Sequence, residues 1–173
     1  MKTRSILASL ILAFATVVIV YAQHPKQGHN NKTSDEEMNK RGDHVMGFDH
    51  TKTTHHFLLQ AAGGSIEVTA NNAGDVESSK QIRMHLKHIA MMFADGNFNT
   101  PMLIHEQTPP GVPVMQELKG EINYDFEEID RGAAVRITTK NPNALKAVHE
   151  FLRFQIKEHK TGDSLVIGKT SPA

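Results

Sequence analysis

The sequence predicts an α+β domain built from a duplicated β-hairpin–helix unit (ββα-ββα). Its sheet is mainly antiparallel and its two helices lie on one face. Three observations carry this. Two stretches alternate apolar and polar residues around a short Gly-containing turn. Each is followed by an amphipathic helical stripe. The hairpins align with one another at a spacing of 69 residues and the helices at 66.

In the first unit His55–Gln60 reads as a strand, Ala61-Ala62-Gly63-Gly64 as a turn, and Ser65–Ala70 (SIEVTA) as a second strand with Ile66, Val68 and Ala70 on one face. Ser78, three residues before Gln81, has capping-box spacing. Ile82, Leu86, Ile89 and Phe93 then recur at helical intervals, and Asp95-Gly96-Asn97 stops the helix. In the second unit Glu121–Glu128 and Ala133–Thr139 are the strands and Ile129–Gly132 the turn. Asn141-Pro142 opens a helix with the stripe Leu145, Val148, Leu152 and Ile156, which ends at Thr161-Gly162-Asp163. Phe57 matches Phe126 and Gly63 matches Gly132, while Ile82 and Leu86 match Val148 and Leu152. Between the units, the prolines of PPGVP argue against regular structure, with a short strand at Met102–Ile104 and a helical turn at Val114–Leu118.

Residues 1–22 read as a secretory signal peptide: Lys2 and Arg4, an apolar run from Ile6 to Val20, and Val20-Tyr21-Ala22 before the cut. An uncleaved anchor is the alternative; with cleavage no stable membrane insertion is expected. Residues 23–40 are polar and read as a flexible leader, 41–168 as a single domain and 169–173 as a tail.

The 19 Lys+Arg balance the 19 Asp+Glu, which argues against a general nucleic-acid binder. Absence of cysteine excludes disulfides, thiolate metal sites and cysteine nucleophiles. No GxSxG, GxGxxG, P-loop or HExxH is present, so the chain reads as a binding protein before an enzyme.

The unusual feature is eleven histidines. On the first helix His85 falls about 60–70° from the centre of the apolar stripe, and Met92, His88 and Met84 continue round the same flank. Imidazoles three residues apart can share a metal ion, and thioethers soften such a site toward Cu(I). Four more histidines fall between His44 and His56. Alternation turns His55 inward with Phe57 and His56 outward, and His50 sits in a loop able to fold over either. The candidate metal ligands are therefore His85, His88, His55, His50, His56, Met92 and Met84, with copper the first choice of metal, zinc next and haem after them. His149 is expected to bond across the helix–sheet interface. His159 is expected to sit at a helix C-terminus, where the dipole favours its charged form. His105 gives only a weak signal. A metal-free module binding a small ligand or a partner is the competing reading. An exported hydrolase pairing a His with Asp43, Asp49 or Asp125 is the third.

From Arg41 to Asp163 the segments RGDHVMGFDHTKTTHHF, IRMHLKHIAMMF, QTPPGVPVMQELK and VHEFLRFQIKEHKTGD together resemble a family of small exported bacterial proteins, some labelled aspartate carbamoyltransferase. The resemblance implies an exported bacterial setting and brings no functional residues with it. The label does not fit the chemistry. Enzymes of that name are two-domain α/β proteins that hold carbamoyl phosphate on a Ser-Thr-Arg-Thr-Arg helix start, and no such segment occurs here.

Overall fold

The computed structural model describes residues 31–167. The segment expected to be a signal peptide (1–22), leader residues 23–30 and the tail 169–173 lie outside the described residues. Four strands form one antiparallel sheet in the order β1-β2-β4-β3, with β1 Thr53–Gln60, β2 Gly63–Ala70, β3 Ile122–Ile129 and β4 Gly132–Thr139. Helices α2 (Val76–Ala94) and α5 (Pro142–Glu158) follow the two hairpins. Their stripes meet the inward side chains of the sheet: Phe57, Leu59, Ile66 and Val68 from the first hairpin, and Val135 and Ile137 from the second. The α+β class and the ββα-ββα order are as predicted.

The register has the symmetry of a repeat. At the centre of the sheet Ile66 pairs with Val135, its counterpart 69 residues on. Moving outward, Gly63 pairs with Thr138 and Thr69 with Gly132, so each glycine faces the counterpart of the other's partner. The glycines are needed because the backbones approach closely. A Cβ on Gly63 would lie 1.9 Å from the Ile137 carbonyl oxygen, and one on Gly132 would lie 1.9 Å from that of Val68.

Four elements depart from expectation. Where the leader was expected to run to residue 40, the structure has helix α1 (Asn31–Met46). Its sequence is charged throughout, and it rests on the domain through buried Met38 and Gly42 and half-buried Met46. Arg41 Nε donates to the Ile104 carbonyl at 2.9 Å and pairs with Glu106, and Lys160 pairs with Asp35. Met102–Ile104 is not a strand but part of helix α3 (Asn99–His105), with Pro101 in the first turn, where its missing N–H is harmless. Helix α2 starts at Val76, capped by Asp75, whose carboxylate accepts from Ser78 N–H at 3.0 Å and from its hydroxyl at 2.8 Å. The Ser78–Gln81 box therefore lies inside the helix.

The proline loop becomes α4 (Val112–Glu117), of which the expected turn is the later part. Gly111 makes its seat on α5 possible, since a Cβ there would fall 2.1 Å from the Ala147 carbonyl oxygen and its φ is +85°. At one end of the interior, Phe93 and Phe98 stack at 4.3 Å and Phe151 meets both edge-on. Such pairs add about 0.5–1.5 kcal/mol each beyond their burial. Among the described residues no helix is long and apolar enough to cross a membrane.

Candidate functional site: a histidine-lined chamber

Beside the Phe93–Phe98–Phe151 cluster the helices and sheet leave a chamber of about 60 Å³, with Phe93 and Phe151 in its wall. Its walls are largely apolar, including Ile66, Val68, Leu86 and Ile89. Into it come four imidazoles from four parts of the fold: His55 from β1, His85 from α2, His105 from the last residue of α3 and His159 just after α5. Met46, from the last turn of α1, adds a thioether. No carboxylate is among the lining residues. A second, more polar cleft of about 290 Å³ lies under α1, lined by Met38, Gly42, His50 and Thr54, and it shares Met46, His55, Ile104 and His159 with the chamber.

The local sequence explains each placement. Alternation along β1 sends His55 and Phe57 inward. His85 sits one position before Leu86 of the buried stripe, half-turned to the sheet. The left-handed Glu106 (φ 53°) ends α3 and leaves His105 buried at 8% exposure. His159 caps α5 with its N–H on the Gln155 carbonyl, directing the ring back over the sheet. The rings then meet one another. His55 and His159 lie 6.0 Å apart with planes 7° from parallel, and His105 meets His159 edge-on at 5.0 Å. Phe48 contacts both His55 (6.0 Å) and His85 (5.5 Å).

Burial sets their protonation. Loss of water pushes His55 down to about 4, helped by repulsion from His56 and His50. His85 falls to about 4 for the same reason, with His55 and His88 adding to it. His159 falls to about 3 through burial and its neighbours His105 and His55. His105 is also lowered by burial, against the opposing pull of Gln155 and Glu158. All four are neutral at pH 7.

Among the described residues the side chains of His55, His85 and His159 have no hydrogen-bond partner, and His105 has one. Its Nε2 lies 3.0 Å from Gln155 Oε1. An amide oxygen only accepts, so Nε2 carries the proton and Nδ1 keeps a bare lone pair. That Nδ1 has no partner, and neither does Gln155 Nε2. An unmet buried polar atom costs about 1–3 kcal/mol. Both atoms belong to residues that line the chamber.

Of the residues singled out from sequence, the structure brings His55 and His85 together. The others lie elsewhere. His88 and Met84 are exposed on the solvent side of α2. Met92 packs against the core and receives the Thr100 hydroxyl at 3.9 Å. His50 donates Nδ1 to Asp43 at 2.9 Å. His56 faces outward and donates Nδ1 to Asp163 at 2.8 Å. The Asp163 carboxyl is pushed up by burial, but hydrogen bonds from the Thr161 hydroxyl, Phe57 N–H and His56 outweigh this and hold it below the usual range. His149 binds across the interface as expected, donating to the carbonyls of Gln60 (2.9 Å) and Gly63 (3.0 Å). His159 is not a charged cap but a half-buried ring that loss of water keeps neutral. His105, His159 and Met46 are the chamber residues that periodicity does not find.

Among the described residues, one trio of His, Asp and Glu brings its ligand atoms within 4.8 Å of one another: Asp43, Asp49 and His50. Its atoms are engaged already, with Asp49 accepting from Thr51 and Asp43 from His50. No three chamber imidazoles have their nitrogens that close, so a shared ion would require ring rotation.

The repeat gives three of the imidazoles aromatic counterparts. At the spacings of 69 and 66, His55 corresponds to Tyr124, His85 to Phe151 and His159 to Phe93. Tyr124 and Phe93 also touch, at 5.8 Å, as His55 and His159 do. Phe93 and Phe151 themselves line the chamber, so aromatics and imidazoles from equivalent positions share one cavity.

Fold and site together define an α+β domain with an internal, neutral imidazole–thioether chamber. No family model, no curated protein and no solved structure matches the chain.

Proposed function

We propose that the protein is an exported copper-binding domain, and that the ion sits in the chamber on imidazoles of His55, His85, His105 and His159 with the Met46 thioether in reach. The observation that carries this is His105: a buried imidazole whose Nε2–H is held by Gln155 and whose Nδ1 is bare. Metal-binding histidines are typically oriented by such an outer hydrogen bond. Neutral rings suit the role, because metal need not displace a proton from them near neutral pH. Thioether and imidazole donors without carboxylate favour Cu(I). A divalent ion would bring about four times the self-energy of a monovalent one into apolar surroundings. Zinc ranks lower for that reason, and haem lower still, because about 60 Å³ does not admit a macrocycle.

The test is anaerobic Cu(I) titration of untagged mature protein against a chromogenic cuprous chelator. One tight equivalent is expected. His85→Phe with His159→Phe, the residue types found at the corresponding positions Phe151 and Phe93, should weaken it by at least about 100-fold if two metal–nitrogen bonds are lost. His88→Ala should leave it unchanged. Undiminished binding in the double variant refutes the chamber as the site.

The Asp43–His50 pair favours a second reading, an exported hydrolase using a His–Asp couple. It predicts ester hydrolysis that survives chelation and is lost in Asp43→Asn.

A further inference from the structure

On α2 the side chains three and four positions either side of His88 are Met84, His85, Met91 and Met92. These are its neighbours on the helix surface, and each is a neutral nitrogen or sulfur donor. His85 is turned to the chamber, and Met92 packs against the core and receives the Thr100 hydroxyl. Met84 and Met91 do neither. They stand 58% and 54% exposed, on either side of an exposed His88. Among the described residues none of these three side chains has a hydrogen-bond partner. At 100° per residue they fall within about 60° of arc, with His88 one turn from each thioether and successive Cβ atoms about 5–6 Å apart. Methionine is unbranched, with three rotatable bonds and a polarizable sulfur, so each thioether is able to swing toward an ion held on the imidazole.

We propose that Met84, His88 and Met91 form a second metal site, on the surface of α2 and separate from the chamber, for a soft monovalent cation, Cu(I). The imidazole supplies a nitrogen and the thioethers supply sulfur, the donor set that selects Cu(I) over harder ions. No Asp or Glu lies within one turn of His88 along α2, while Lys80 and Lys87 flank the site. Repulsion from those lysines doubles for a doubly charged ion. The site stands open to water, where a bound ion competes with its own hydration, so it holds copper more weakly than an enclosed one.

The test is anaerobic titration of untagged mature protein with Cu(I) beyond one equivalent, against a weak cuprous chelator. Ag(I), a redox-inert stand-in, is titrated in parallel and followed by the methionine methyl NMR signals. The wild type should take up a second, weaker equivalent, and the Met84 and Met91 methyl signals should move with it. Met84→Leu with Met91→Leu keeps the shape of both side chains and removes both sulfurs. In that variant, and in His88→Ala, the second equivalent should weaken by at least about tenfold, with the first unchanged. Zn(II) at equal concentration should not displace it. His85→Phe with His159→Phe should lose the first equivalent and keep the second. No second equivalent in the wild type, an undiminished one in the leucine variant, still methyl signals, or displacement by Zn(II) overturns the proposal and leaves the chamber untouched. A tight equivalent that disappears with Met84, His88 and Met91 while the chamber variant binds as before overturns the chamber and supports the surface site.

Discussion

Acidification should loosen the metal-free protein well above the pH at which carboxylates titrate. An unfolded imidazole titrates at 6.5, whereas His55 and His85 do so at about 4 in the fold and His159 at about 3. Because the folded values are depressed, the unfolded chain takes up protons first. The stability these rings contribute is complete above 6.5 and declines as pH falls below it, levelling off near the folded values. At about pH 5 the unfolded state gains about 1.5 pH units of proton binding per ring, or about 2 kcal/mol each. Three rings give about 6 kcal/mol as an upper limit, since each keeps some surface on the chamber. That is comparable to the whole stability of many domains, about 5–15 kcal/mol. Thermal melts of chelator-treated protein should drop by about 10–20 °C between about pH 7 and pH 5. His159→Phe should remove about a third of that drop, by removing one of the three rings. A melting temperature flat across this interval, or an equal slope in the variant, would refute the argument.

Other outcomes follow from the packing. Gly63→Ala and Gly132→Ala each force a methyl group to 1.9 Å from a carbonyl oxygen. Each should destabilise by about 3 kcal/mol or more in urea unfolding, and the two effects should be similar because the positions are equivalent. Asp163→Ala removes the acceptor of Phe57 N–H (2.9 Å) on the edge strand. It should cost about 1–3 kcal/mol and speed hydrogen exchange at the Phe57 amide. Arg41→Ala releases both the Ile104 carbonyl and Glu106. It should leave the melting temperature within a few degrees, surface pairs being worth about 0–1 kcal/mol, but raise exchange along α1.

The hairpins and the two long helices are legible because their side chains alternate or recur with one face buried. Ile66, Val68, Leu86 and Leu152 announce their faces without tertiary information. Helix α1 does not, because its apolar contacts reduce to Met38, Gly42 and Met46 in a charged sequence, and its docking depends on a surface built by other elements. Helix α3 hides behind Pro101 and the strand-like run Met102–Ile104. The site divides the same way. His55 and His85 are readable from strand parity and helix angle, and the structure gives them one chamber. His88 and Met84 belong to the same flank by angle, but the sheet reaches only as far round as His85. His105 and His159 stand at the C-terminal ends of their helices, where direction is set by how the helices pack.

The correspondence of His55, His85 and His159 with Tyr124, Phe151 and Phe93 carries a consequence for how the molecule divides its labour. Equivalent backbone positions supply apolar rings and imidazoles to one cavity, for Phe93 and Phe151 stand in the wall that His55, His85 and His159 also line. The interlocked phenyl rings keep that wall tight, which leaves the facing imidazoles as the side of the cavity that can change its charge.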